Sequence, residues 1–191
     1  MKEKLLNAAT SGDLGELEKL LEQGADASTK DEFGWTALMW AGSMGFPEAV
    51  KLLLDAADEP DARDQYGATA LMKASRRGFA DVVKHLLDAG AKVNAEDEFG
   101  WTALMRASRR GYLDVVKLLL DRGANIEDAD QYGATALIMA ASEGHADVVR
   151  ELLARGADPH ARDRNSWTSL MWAASMRHTE VIDMLKARAK K

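Results

Sequence analysis

The chain has 191 residues, 47% of them hydrophobic and 29% charged, which is too apolar for a disordered chain and ordinary for a globular one. A net charge of -6 argues against a general nucleic-acid binder, and the absence of cysteine excludes disulfides, thiolate metal sites and cysteine catalysis. The apolar runs are too short to span a bilayer, and the N-terminal stretch turns polar at Asn7 without a secretory leader, so a cytoplasmic location and no membrane partner are expected.

Read from its start, the chain repeats itself. An aspartate recurs at Asp31, Asp64, Asp97, Asp130 and Asp163, always 33 residues apart. In the same register stand Thr36-Ala37-Leu38-Met39, Thr69-Ala70-Leu71-Met72, Thr102-Ala103-Leu104-Met105, Thr135-Ala136-Leu137-Ile138 and Thr168-Ser169-Leu170-Met171. Five matches in one register mark a repeat architecture. Each unit reads as turn, helix, turn, helix, loop. In the segment from Asp64, Gly67 permits a turn, Thr69 caps a helix over Ala70 to Arg77, and Gly78 ends it. Asp81 to Leu87 has the 3–4 spacing of an amphipathic helix, Gly90 stops it, and the tail to Glu96 reads as extended. Such a unit buries its apolar face only against its neighbours.

The expected boundaries are 1–30, 31–63, 64–96, 97–129, 130–162 and 163–191, in one stacked domain. The outer two are capping repeats. Glu16 stands where the other repeats have Ala49, Val82, Val115, Val148 and Val181, and Lys186 follows the series Leu54, Leu87, Leu120 and Leu153. The chain is therefore expected to be complete, or cut at natural ends. One segment is irregular: Ala57 replaces the helix-ending glycine found at 90, 123 and 156, so either the helix ends differently or the loop is remodelled, and weaker local order is expected over 55–61.

The unit resembles the ankyrin repeat, a 33-residue module with a Thr-Pro-Leu-His-x-Ala signature. The resemblance covers essentially the whole chain. It carries Thr-Ala-Leu-Met-x-Ala, followed by Gly45, Gly78, Gly111 and Gly144. Alanine or Ser169 replaces the signature proline. Methionine or Ile138 replaces the histidine, so apolar packing is expected where the family has a threonine–histidine hydrogen bond. The resemblance implies an all-α solenoid of stacked helix-turn-helix units with hairpin loops. It implies a concave face lined by the hairpins and the first helix of each repeat, and a protein- or peptide-binding role.

Carried over residue by residue, the family's binding positions fall here on a distinctive set. The hairpins bring Phe33, Trp35, Tyr66, Phe99, Trp101 and Tyr132. The first helices bring Trp40, Met44, Lys73, Arg76, Arg77, Arg106, Arg109, Arg110, Met139, Glu143, Trp172 and Met176. Aromatics and arginine are enriched at binding hot spots. Trp35, Trp101 and Trp167 serve equally well as packing over the small Ala68 and Ala134, whereas Trp40 and Trp172 read as contacts. Lys73, Arg76, Arg77, Arg106, Arg109 and Arg110 gather at matching positions of two repeats. By contrast, 31–63 carries seven acids and two bases, a net charge of -5. A local basic face on an acidic chain favours an acidic partner segment over nucleic acid.

The sequence holds little that carries chemistry. His145 and His178 share one repeat position with Phe46, Phe79 and Tyr112, which marks packing. The spacing gives no metal motif or phosphate loop. No cofactor, no metal and no enzymatic activity are expected, and the chain is read as a monomer. Two alternatives remain. Asp-Glu-Phe-Gly-Trp at 31 and 97, and Asp-Gln-Tyr-Gly-Ala at 64 and 130, recur 66 residues apart. A tandem duplication gives this, and so does an engineered scaffold with no natural partner. Exposed aromatics also allow a self-associating, dimerising protein.

Overall fold

The computed structural model describes residues 1–57 and 59–188. The chain divides into two compact units, 1–98 and 99–191. Unit 1 holds α1 (Lys2–Ser11), α2 (Leu14–Glu22), α3 (Ala37–Met44), α4 (Pro47–Ala57), α5 (Ala70–Arg77) and α6 (Ala80–Asp88). Unit 2 holds α7 (Ala103–Arg110), α8 (Leu113–Asp121), α9 (Ala136–Glu143), α10 (Ala146–Ala154), α11 (Ser169–Ser175) and α12 (Thr179–Arg188). The fold class is an all-α repeat solenoid. Among the described residues extended pairing is limited to isolated antiparallel bridges, such as Lys30 with Thr36 and Ala129 with Thr135, which close hairpins.

From α3 onward, the first helix of each repeat starts where its threonine is. The Thr36, Thr69, Thr102, Thr135 and Thr168 hydroxyl oxygens each accept a hydrogen bond from the backbone N–H three residues on. This satisfies one of the donors that a helix start leaves orphaned. Within unit 1, α1 packs on α3 and α3 on α5, while α2 packs on α4 and α4 on α6. Within unit 2, α7, α9 and α11 form one layer and α8, α10 and α12 the other. Between the layers lie Val82, Val83 and Leu86 in unit 1 and Val148, Val149 and Leu152 in unit 2, all essentially buried. Each such side chain is worth about 2 kcal/mol of burial, before chain entropy is subtracted.

The methionines that replace the signature histidine behave as packing. Met39, Met72, Met105 and Ile138 are buried, but Met171, on the terminal repeat, is exposed. One local expectation is corrected. The tail before Glu96 is not uniformly extended: it turns at Val93–Asn94, with Ala95 N–H donating to the Lys92 carbonyl at 3.1 Å. Helix α4 runs through Ala57, whereas α6 stops at Asp88, two positions earlier in the repeat. Alanine avoids the left-handed turn that Gly90 makes at φ 86°, so the helix continues instead. Asp58, within the segment expected to be less ordered, and 189–191 lie outside the described residues.

The position after each first helix is set by backbone geometry. Gly144 has φ 78°, and a Cβ there would meet the His178 ring at 2.5 Å. One repeat on, Arg177 adopts φ 64° with a full side chain. The left-handed conformation costs a non-glycine residue about 1 kcal/mol. Arg177→Gly is therefore expected to stabilise the protein by up to about 1 kcal/mol in urea unfolding, and Gly144→Ala to destabilise it by more than about 1 kcal/mol.

Candidate functional surface

Four hairpins are held by the aspartate that opens the repeat. Asp64 Oδ1 accepts hydrogen bonds from the N–H groups of Tyr66 and Ala68, both at 2.9 Å. Asp31 holds Phe33 and Trp35 in the same way, Asp130 holds Tyr132 and Ala134, and Asp163 holds Asn165 and Trp167. A short side chain that captures the amides two and four residues on locks the loop without secondary structure.

At three of these aspartates the second carboxylate oxygen is met from the following helix, nine residues on. Trp40 donates its indole N–H to Asp31 Oδ2 at 2.9 Å, and Trp172 donates to Asp163 Oδ2 at 2.8 Å. At Asp64 the donor is a cation, with Lys73 Nζ 2.6 Å from Oδ2. Both side chains are nearly buried, and the ammonium also lies 3.6 Å from the centroid of the Trp35 ring. Burial pushes the Asp64 carboxyl up. The Lys73 hydrogen bond and the two amides outweigh this and hold it below the usual carboxylate range.

The hairpins are also tied to one another inside each unit. In unit 1, Gln65 N–H donates to the Phe33 carbonyl and Glu98 N–H to the Tyr66 carbonyl. In unit 2, Gln131 donates to Phe99 and Arg164 to Tyr132. The backbone beneath each aromatic tip is thus fixed while the ring is left outside.

The sequence-selected residues divide by unit and by exposure. In unit 1, Phe33, Tyr66 and Met44 are exposed, and so are Arg76 and Arg77. Trp35 and Trp40 are half-buried against each other, with ring centroids 4.5 Å apart, and the nearly buried Lys73 lies over Trp35. In unit 2, Phe99, Tyr132, Arg109, Arg110, Glu143 and Met176 are exposed, while Trp101, Arg106 and Trp172 are half-buried. Met139 is only 5% exposed. The guanidinium carbons of Arg106 and Arg109 lie 5.6 and 5.4 Å from the Trp101 ring centroid, and Arg109 Nε reaches Glu143 at 3.2 Å.

In unit 2 these side chains bound a groove of about 660 Å³. Trp101, Arg109, Tyr132, Met139, Glu143, Trp172 and Met176 line it, as the sequence selected, with Asn165 of the last hairpin, and so do Asp130, Asp163 and His178, which it did not select. The histidines do more than pack: His145 Nε2 is 3.0 Å from the Arg109 carbonyl and His178 Nε2 3.0 Å from the Ser142 carbonyl, linking neighbouring repeats. Among the described residues, no group of three His, Asp or Glu converges to hold a metal ion, and no helix is long and apolar enough to cross a membrane.

A family model described as ankyrin repeats (3 copies) matches residues 5–97, 59–130, 93–163 and 128–191. The solved structure of an ankyrin repeat domain from Acinetobacter baumannii AYE superposes with a TM-score of 0.87 at 28% identity, covering 97% of each chain. Over 52 residues the chain is 38% identical to the ankyrin repeat, SAM and basic leucine zipper domain-containing protein 1 of Homo sapiens, and equally to that of Ovis aries. That stretch is 27% of this chain and spans only 11% of the length of those curated relatives.

The Asp64–Lys73 pair yields a prediction. Lys73→Met removes a contact that lowers the Asp64 carboxyl, so that carboxyl rises towards its ordinary value. A lowered aspartate stabilises the fold above about pH 4, and the gain is lost as pH falls through its folded value. The variant should lose about 2 kcal/mol at pH 7, and the deficit should shrink towards pH 3, as read by urea unfolding at both values.

Proposed function

Since this chain belongs to the ankyrin repeat family, whose members are generally protein-interaction modules, we propose that it binds a protein or peptide through its hairpin tips and the exposed face of α3, α5, α7, α9 and α11, and that it does so without catalysis. One observation carries this reading. Phe33, Tyr66, Phe99 and Tyr132 all stand exposed at the hairpin tips, Tyr132 at 63%, on backbone already fixed by the aspartates and the cross-hairpin bonds. Exposed rings on ordered backbone lose little conformational entropy when a partner covers them.

The partner is proposed to present an acidic segment. Support comes from Arg77 at the exposed end of α5 in unit 1, and Arg110 at the exposed end of α7 in unit 2. The cationic set is smaller than the sequence count, because Lys73 is committed to Asp64, Arg109 is paired with Glu143, and Arg76 and Arg106 are engaged as well. The acidic remainder of the chain disfavours nucleic acid. The protein is proposed to act as a monomer.

A peptide-display selection on the intact protein tests this, run beside a variant carrying Tyr66→Ala, Arg77→Ala and Arg110→Ala. Tyr66 meets Asp64 only through its backbone amide, which alanine keeps, so the comparison isolates the surface. Acidic peptides enriched by the intact protein should bind the variant at least about 30-fold more weakly, the effect of losing about 2 kcal/mol at a hot spot. Equal enrichment by both proteins would contradict the proposal.

A further inference from the structure

The two units carry the same carboxylate and the same indole but differ in the side chain between them. Asp130 is the 66-residue counterpart of Asp64, and Trp101 of Trp35. The counterpart of Lys73 is Met139. A thioether donates no hydrogen bond. Among the described residues Asp130 Oδ1 receives its two hairpin amides, and no side-chain donor reaches Oδ2. The residue as a whole is only 7% exposed, and it lines the 660 Å³ groove of unit 2.

We infer that this groove accepts a lysine side chain of a binding partner, its ammonium on Asp130 and its methylene stem between the indoles of Trp101 and Trp172. Unit 1 supplies the template within the same molecule: one ammonium at 2.6 Å from Asp64 and 3.6 Å over Trp35. The surrounding charge has changed in the direction that such a guest needs. Lys73, Arg76 and Arg77 of unit 1 correspond to Met139, Ser142 and Glu143 in unit 2. Three cations have become two neutral residues and an acid. The groove carries three carboxylates, Asp130, Asp163 and Glu143, against the single guanidinium of Arg109, which is engaged by Glu143 at 3.2 Å. Asp163 has its own donors in Asn165, Trp167 and Trp172, so Asp130 is the acceptor left for a guest. An ammonium gives a carboxylate oxygen without a side-chain donor a charge-assisted hydrogen bond, and aromatic faces attract a cation.

The inference goes beyond the interaction role proposed above and is tested without the partner. Nα-acetyl-lysine N-methylamide is titrated into the isotope-labelled protein, with the glutamine analogue as control. The indole N–H signals of Trp101 and Trp172 and the amide of Tyr132 report on the groove. Saturable shifts are expected with the lysine compound, at least tenfold weaker with the glutamine compound. Two variants separate charge from folding. Met139→Lys places the chain's own ammonium on Asp130, as Lys73 does on Asp64. Asp130→Asn removes the charge but keeps an oxygen for both hairpin amides. Both should weaken lysine binding at least tenfold while the Ala134 amide remains protected from exchange. No saturable shift in the parent, equal response to both compounds, or undiminished binding in both variants would overturn the inference. Since no partner is used, that failure leaves the peptide-display result standing or falling on its own.

Discussion

The carboxylate at the first position of a repeat fixes the hairpin above it, and what meets its second oxygen shapes the surface. One oxygen of Asp31, Asp64, Asp130 and Asp163 takes two hairpin amides, which turns a loop without regular structure into a fixed one. The other oxygen is available to the residue nine positions on. A charge or lone pair withdrawn from water without a partner is expensive, so this second contact couples the hairpin to the helix that follows. Tryptophan completes it at Asp31 and Asp163, and lysine at Asp64. The aromatic and cationic side chains on this face therefore have two roles: some close the hairpin, and the rest are presented by it.

That division sharpens the binding surface. Trp40 and Trp172 each stack on a neighbouring indole and spend their N–H on an aspartate, so they are part of the hairpin's own closure. The exposed rings at 33, 66, 99 and 132 sit on backbone whose carbonyls, one repeat after another within each unit, accept the next hairpin's amide. Within unit 2 the histidines add a side-chain tie to the preceding repeat's backbone. A surface fixed this way meets a partner with little left to order.

Most of the fold was legible in the sequence, because it depends on local signals repeated in register. Thr69, Gly78 and the Asp81–Leu87 spacing place α5 and α6 to within a residue or two, and the burial of Met39, Met72 and Met105 follows from their register. The surface was less legible. The aspartates served only as a register mark in the sequence, since nothing in a single repeat reveals that the second oxygen faces a side chain nine residues on. The six-cation cluster counted Lys73 as surface, because an ion pair that buries it is a tertiary fact. Substitution at that ninth position, Trp40, Lys73, Met139 and Trp172 in a chain otherwise so regular, was the available signal. It acquires meaning once the carboxylate is seen beneath it.

Residue-resolved amide hydrogen exchange tests the central claim most directly. The amides of Phe33, Trp35, Tyr66, Ala68, Tyr132, Ala134, Asn165 and Trp167 lie in surface loops, where exchange is ordinarily fast. If the aspartates order the hairpins, these eight amides are protected well above their loop neighbours, and Asp64→Ala removes protection at Tyr66 and Ala68 while leaving Tyr132 and Ala134 unchanged. Exchange at these positions as fast as in the surrounding loops, or indifferent to loss of the Asp64 carboxylate, would contradict the account.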